Sequence, residues 1–196
     1  VGMDNIDVEY AREKGLSVIN TPASSSSSVA ELVFAHLFGG VRFLYDSNRN
    51  MPLEGESNFK GLKKSYANGI ELSGKTLGVI GFGRIGQEVA KIGLGVGMNV
   101  IATDKYIDVA EIEVSLFNGA SLKVSIETTT MEHVLEQSDF ISLHVPAQKD
   151  YVIGKKELGM MKDGSVIINA ARGGVLDEVA LVNALDSKKL SFACLD

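Results

Sequence analysis

Short apolar runs alternate with amphipathic segments along most of the chain. The clearest run covers residues 77–80; an amphipathic segment at 85–94 and a second apolar run at 99–103 follow it. Runs of four or five apolar residues without polar alternation are typical of parallel strands that are buried on both faces. The pattern therefore predicts a β-α-β unit in the middle of the chain.

The same alternation continues in the second half of the chain. The predicted strands are 139–145, 165–170 and 191–195, and the predicted helices are 131–137, 155–161 and 177–187. Repeated β-α units predict an α/β fold with a Rossmann-type doubly wound parallel sheet. Such a sheet binds its ligands at the carboxyl ends of its strands.

A long apolar segment at 29–45 predicts a helix that is buried on several sides, because apolar residues occupy nearly every face. Within it, Gly39 and Gly40 each cost about 1 kcal/mol relative to alanine. A close approach by another backbone would justify these glycines. We therefore predict that this helix joins two copies of the chain in a homodimer.

Four other segments complete the pattern. Residues 113–126 alternate apolar and polar positions on both sides of Asn118-Gly119, which predicts an inserted β-hairpin at the edge of the sheet. Residues 7–15 predict a short helix and residues 16–19 a short strand. Residues 48–70 are polar and contain glycines and a proline, which favours an irregular surface segment.

The turn after the first run of the central unit has the pattern G-x-G-x-x-G, at Gly81, Gly83 and Gly86. The first glycine permits a tight turn, the second lets a diphosphate approach the backbone, and the third allows close packing of helix on sheet. The N–H groups of the first helical turn then face the phosphates. We interpret this turn as the phosphate-binding loop of a dinucleotide site.

A carboxylate at the end of the second run strengthens this interpretation. Asp104 lies 18 positions after Gly86, where an acidic residue can accept hydrogen bonds from the adenosine ribose hydroxyls. An ordinary β-α turn would not need an acidic residue at this distance. Because a carboxylate repels a 2′-phosphate, the predicted cofactor is NAD and not NADP.

Composition narrows the possible partners and compartments. A net charge of -6 without a basic cluster argues against a nucleic-acid surface. No apolar stretch has the length and composition of a membrane span, so no membrane partner is predicted. No cluster of cysteine and histidine suggests a metal. The single cysteine, Cys194, favours a reducing compartment, and we expect a cytoplasmic protein.

Several motifs, in one order, resemble a known family. They are VGMDNIDVEYAREKG at 1–15, NTP at 20–22, SVAEL at 28–32, ELSGKTLGVIGFGRIG at 71–86, SLHVPA at 142–147, MKDGSVIINAARGG at 161–174 and ACLD at 193–196. The chain is identified by these motifs as similar to the D-isomer-specific 2-hydroxyacid dehydrogenases, most of all to the phosphoglycerate dehydrogenases among them.

The resemblance implies a domain organisation. Residues 1–20 would be the tail of a flavodoxin-like substrate-binding domain, and residues 21–196 would be most of the NAD-binding domain, including the inserted hairpin. Because the sequence lacks an initiator methionine and stops as a strand is finishing, we expect an excised piece of a longer enzyme.

The resemblance also implies site residues. Arg172 matches the family's catalytic arginine, which binds the substrate carboxylate and polarises the 2-oxo group. Beside Gly81, Gly83, Gly86 and Asp104, the positions that match the family's cofactor contacts are Arg84, Ile85, His144, Val145, Pro146, Ala170, Ala171 and Asp196. The family's histidine acid/base and its glutamate match positions beyond Asp196, so we expect the 196-residue chain to bind NAD without turnover.

The implied activity is hydride transfer between NAD and a D-2-hydroxy acid. The first candidate pair is 3-phosphoglycerate and 3-phosphohydroxypyruvate, in serine biosynthesis. Ser25 stands where phosphoglycerate dehydrogenases often have an asparagine near the substrate, so other substrates stay open. The alternatives are a glycerate/hydroxypyruvate or D-lactate-type dehydrogenase, or a non-catalytic NAD-sensing regulator.

Overall fold

The structure is a computed structural model that describes residue 3 and residues 5–196. Its strands are β1 (Thr76–Ile80), β2 (Asn99–Thr103), β3 (Val109–Ser115), β4 (Ser121–Glu127), β5 (Phe140–Leu143), β6 (Ser165–Asn169) and β7 (Leu190–Leu195). Its helices are α1 (Val8–Glu13), α2 (Ser26–Val41), α3 (Leu44–Ser65), α4 (Arg84–Gly95), α5 (Met131–Gln137), α6 (Lys155–Met160) and α7 (Glu178–Asp186). From β1 to β7, the predicted α/β elements are confirmed to within two residues at each end, except in the hairpin.

Five of the strands form one parallel sheet in the order β2-β1-β5-β6-β7. The chain leaves β1 toward β2 and later returns to the other side of β1 as β5. The carboxyl end of β1 is therefore the switch point of the sheet, where parallel α/β sheets hold their ligands. The Rossmann-type doubly wound fold predicted from the sequence is confirmed.

Alternation along the strands divides the core into two layers. Leu77 and Val79 of β1 pack on the face that α2 and α4 cover. Ile80 packs on the opposite face, together with residues of α5, α6 and α7. Helices on both faces explain why the strands have nearly continuous apolar sequences.

The structure of the N-terminal segment agrees only in part with the prediction from the sequence. Helix α1 is confirmed, and the Asp7 carboxylate caps it by accepting from the Tyr10 N–H at 2.9 Å. The strand predicted at 16–19 is wrong: these residues pair with no strand in the described part of the chain, and Ile19 is 87% exposed. Val1, Gly2 and Asp4 of the predicted 1–20 segment lie outside the described residues.

The helix predicted at 29–45 is shifted and is buried on one face instead of several. Helix α2 ends at Val41, and α3 begins after Phe43, whose φ of 55° lies in the left-handed region. Gly40 packs against the ring of Phe192 in the same chain, while Gly39 faces open space. The close approach at Gly40 therefore needs no second copy of the chain.

The prediction of an irregular segment at 48–70 is also wrong, because residues through Ser65 form α3. This helix contains Pro52 and a kink at Asn58. This helix is largely exposed and buries only Leu62. No single helix in the described residues is long and apolar enough to cross a membrane. Helices α2 and α3, bent by 49°, pass such a test only as a pair and only by length and composition.

The predicted hairpin is confirmed and is longer than residues 113–126. Strands β3 and β4 pair antiparallel from Val109↔Glu127 to Ser115↔Ser121 around the turn that contains Gly119, whose φ is +84°. Ile112 and Ile126 are buried against the layer that contains α4. The hairpin therefore lies on the β2 side of the sheet, beyond Asp104.

Candidate dinucleotide-binding site

The glycine-rich loop turns sharply from β1 into α4. Gly81 has a φ of +93°, and a Cβ there would lie 2.6 Å from the carbonyl oxygen of His144. A Cβ on Gly86 would collide with the carbonyl oxygen of Gly81. Both positions are therefore restricted to glycine by the fold itself, one by conformation and one by packing.

Gly83 differs from these two glycines. It is the N-cap of α4, with an ordinary φ of -69°, and nothing lies within 4 Å of a Cβ built on it. Gly83 also lines a cavity of about 760 Å³. The missing side chain thus leaves open space in front of a helix N-terminus, which is the environment that binds a diphosphate.

The Asp104 side chain accepts hydrogen bonds from backbone N–H groups, one of which belongs to this loop. Its Oδ2 accepts from the Phe82 N–H at 2.6 Å, and its Oδ1 accepts from the N–H groups of Tyr106 and Ile107 at 2.8 and 3.2 Å. The carboxylate also lines the 760 Å³ cavity. Since an ionised carboxylate has about four lone-pair sites, it can still accept a ribose hydroxyl.

A second cavity of about 460 Å³ contains Arg172. The turn after β6 is organised by Asn169, whose side chain accepts from the Ala171 N–H and donates to the Arg172 carbonyl, both at 3.1 Å. The Arg172 guanidinium donates to the Ala171 carbonyl at 2.8 Å. Ser25 at the start of α2 also lines this cavity.

Three residues at the end of β5, His144, Val145 and Pro146, line both cavities. His144 Nε2 is 2.8 Å from the hydroxyl of Ser142, and its Nδ1 is buried with no hydrogen-bond partner among the described residues. Burial lowers the pKa of His144 to about 4. The imidazole is therefore neutral at neutral pH.

The structure brings most of the predicted site residues together at one edge of the sheet. Those lining one or both cavities are Gly81, Gly83, Ile85, Asp104, His144, Val145, Pro146, Ala170, Ala171 and Arg172. Three others are not among the lining residues. Gly86 packs beneath the loop, the Arg84 side chain is exposed, and Asp196 is exposed with its N–H bonded to the Asn169 carbonyl at 3.1 Å.

Several lining residues were missed by sequence reasoning. In the larger cavity they are Ile80, Thr103, Lys105, Tyr106, Met131, Gln148 and Val152. Lys105 and Tyr106 could have been found from their position directly after Asp104. Met131 and Gln148 carry no local signal, because only the fold brings their segments to this edge.

Comparison with known proteins agrees with this geometry. The family described as "D-isomer specific 2-hydroxyacid dehydrogenase, NAD binding domain" matches residues 34–196. The chain belongs to the D-isomer-specific 2-hydroxyacid dehydrogenase family. It contains that family's NAD-binding domain, so NAD is its cofactor, as the sequence predicted.

The chain is similar along its whole length to longer proteins. It is 42% identical to a hydroxypyruvate reductase of Thermotoga maritima and covers 59% of it. It is 43% identical to a D-3-phosphoglycerate dehydrogenase of Methanocaldococcus jannaschii and covers 35% of it. Among solved structures, the D-lactate dehydrogenase of Lactobacillus jensenii with NAD+ has a TM-score of 0.77 and 31% identity, over 100% of this chain and 55% of that one.

The different environments of the glycines generate a test of the NAD site. Gly83→Ala should fold normally, because the φ is ordinary and the space is free, yet the new methyl group would occupy the space in front of the helix N-terminus. We expect NADH affinity to fall about tenfold or more, which corresponds to about 1.4 kcal/mol. Nicotinamide fluorescence titration measures this affinity.

Gly95→Ala is the matched control, because Gly95 lies at the opposite end of α4 and also faces open space. This variant should bind NADH as the unchanged chain does. If Gly83→Ala also binds NADH normally while its melting temperature is unchanged, the diphosphate does not approach Gly83.

Proposed function

We propose that the protein carrying this chain is an NAD-dependent oxidoreductase that transfers a hydride between NAD and a D-2-hydroxy acid. The observation that supports this most strongly is the position of Arg172. Its cavity adjoins the cavity of the glycine-rich loop through His144, Val145 and Pro146. A small anion beside Arg172 would therefore be next to a cofactor that extends from the loop toward the end of β6.

The proposed role of Arg172 is to bind the substrate carboxylate and to polarise the 2-oxo group. A guanidinium offers a planar fork of donors and does not lose its proton at any working pH. It can stabilise charge that develops on the carbonyl oxygen, but it cannot supply a proton. NAD, when bound, supplies the hydride chemistry.

Proton transfer needs a group whose pKa is close to neutral. Besides Arg172, His144 is the only titratable side chain among the described residues that line the Arg172 cavity, and its pKa of about 4 is too low. We therefore propose that the 196-residue chain binds NADH without meaningful turnover. The acid and its partner glutamate would come from the positions that the family resemblance places after Asp196.

The first candidate substrate pair is 3-phosphoglycerate and 3-phosphohydroxypyruvate, in serine biosynthesis. Its support is the similarity to phosphoglycerate dehydrogenases. Hydroxypyruvate is the second candidate, because the similar Thermotoga maritima protein is a hydroxypyruvate reductase. The short side chain of Ser25 leaves space in the Arg172 cavity that either substrate could use.

We also propose that residues 1–20 belong to the substrate-binding domain and residues 21–196 to the NAD-binding domain. The position of Asn20 and Pro22 in the Arg172 cavity supports a boundary close to the site. A cytoplasmic location is proposed from the free thiol of Cys194.

Substitution of Arg172 tests the proposed reaction in the protein that carries this chain. Arg172→Lys keeps the charge and removes the fork of donors, so kcat/KM for 3-phosphohydroxypyruvate or hydroxypyruvate should fall about 10²- to 10³-fold. NADH affinity should change little. Steady-state NADH oxidation and fluorescence titration measure the two quantities.

Arg49→Lys is the control, since Arg49 is exposed on α3. Unchanged activity in Arg172→Lys would remove this arginine from the reaction. If NADH binds but none of the 2-oxo acids turns over in the unsubstituted protein, the NAD-sensing alternative is favoured.

The predicted homodimer remains a proposal, and its surface now includes α3. Large apolar side chains are exposed where α2 and α3 meet: Phe38 at 42%, Leu44 at 55% and Tyr45 at 72%. Monomeric proteins rarely expose contiguous apolar patches of large size. A second copy packed here would cover these side chains.

Sedimentation at micromolar concentration should show a dimer that Tyr45→Asp weakens, because the new carboxylate would have to lose its hydration in the contact. Phe117→Asp, at the exposed tip of the hairpin, should leave the dimer intact. A monomeric unsubstituted chain would contradict the proposal.

A further inference from the structure

Both peptide groups beside Phe82 are held by polar side chains. The Phe82 N–H donates to Asp104 Oδ2 at 2.6 Å. On the other side, the Phe82 carbonyl accepts from Gln87 Nε2 at 2.9 Å. The Phe82 side chain itself is fully buried in the core. The residue between the first two glycines is therefore fixed at three points.

Gln87 reaches this carbonyl from the first full turn of α4. Its backbone N–H donates to the Gly83 carbonyl at 2.9 Å, as a helical residue should, and its half-buried side chain folds back along the loop. Nothing in helix formation requires the Phe82 carbonyl to be bonded. The hydrogen bond from Gln87 to the Phe82 carbonyl is therefore an additional contact that holds the loop.

The direction of this carbonyl fixes the direction of the next amide. In a planar trans peptide the C=O and the following N–H point in opposite directions. Since the Phe82 carbonyl points to Gln87, the Gly83 N–H points away from Gln87. Gly83 lines the larger cavity, and a Cβ built on it would meet only open space.

We propose that Gln87 is a positioning residue for the cofactor diphosphate. By holding the Phe82 carbonyl, Gln87 keeps the Gly83 N–H turned into the cavity, where it can donate to a phosphate oxygen. Asp104 fixes the preceding peptide, so the loop is in its binding conformation before the cofactor arrives. The proposal rests on the placement of the diphosphate at the glycine-rich loop.

Preorganisation explains why a glycine-rich loop needs a side-chain hydrogen bond of this kind. Gly81 and Gly83 lack side chains, so the peptides between them can rotate more freely than those of other residues. A loop that must become ordered on binding loses affinity to the entropy of ordering. One side-chain hydrogen bond that prevents the rotation retains that affinity.

The test uses Gln87→Met, which has similar length and no donor, and Gln87→Asn, which keeps the amide but is one methylene shorter. Gln137→Met is the matched control, because Gln137 is exposed at the end of α5. Three quantities are measured on the chain: the NADH dissociation constant by fluorescence, the ³¹P shifts of bound NADH, and the ¹⁵N–¹H position of the Gly83 amide.

We expect NADH to bind about 3- to 10-fold more weakly to both Gln87 variants, the effect of losing one net hydrogen bond. The Gly83 amide should move in the free protein, and the ³¹P shifts should move in the complex. Gln137→Met should match the unsubstituted chain in all three measurements.

The proposal is overturned if the unsubstituted chain binds NADH and a folded Gln87 variant binds it equally well. It is also overturned if affinity falls while the Gly83 amide stays in place, because Gln87 would then act only on general stability. If one variant is unfolded, the other decides between these outcomes. Failure of the unsubstituted chain to bind NADH would instead contradict the placement of the cofactor.

Discussion

The structure depends on one close backbone approach, between the carbonyl of Gly81 and the Cα of Gly86. Because no side chain separates them, α4 can start directly after β1 and point its N-terminus along the edge of the sheet. Its buried residues, Val89 and Ala90, then pack against the layer that α2 completes. The close contact between Gly81 and Gly86 therefore lets the core pack tightly and leaves a cavity in front of the helix N-terminus.

The order of the strands in the sheet explains why the site has two neighbouring cavities. Strands β2 and β5 lie on opposite sides of β1, so Asp104 and His144 face each other across the glycine-rich loop. Strand β6, next to β5, carries Arg172 on its following turn. A neutral, half-buried His144 lies between the two cavities and would add no charge between a bound diphosphate and the arginine. The proposed cofactor and substrate positions thus lie on neighbouring parts of a single edge of the sheet.

Local sequence patterns predicted the buried β-α units most accurately, and the two segments where they were wrong, 16–19 and 48–70, are mostly exposed. Strand β1, the loop and α4 have strong patterns because both faces of the sheet are covered. Helix α3 buries only Leu62, contains Pro52 and is mostly polar, so its composition resembles that of a surface loop. Residues 16–19 have strand composition, but a strand needs a partner, and Ile19 is almost fully exposed. In the site, Gly81, Gly83 and Asp104 follow from spacing, whereas Met131 and Gln148 reach the cavity only through tertiary packing.

NAD is expected to bind at this edge with its adenosine ribose beside Asp104. The most direct test compares the dissociation constants of NADH and NADPH for the chain by nicotinamide fluorescence at fixed ionic strength. A 2′-phosphate next to the Asp104 carboxylate would be repelled, and Lys105 would offset this only in part. This placement of the ribose predicts that NADH binds about tenfold or more tightly than NADPH. Equal affinities, or a preference for NADPH, would contradict it.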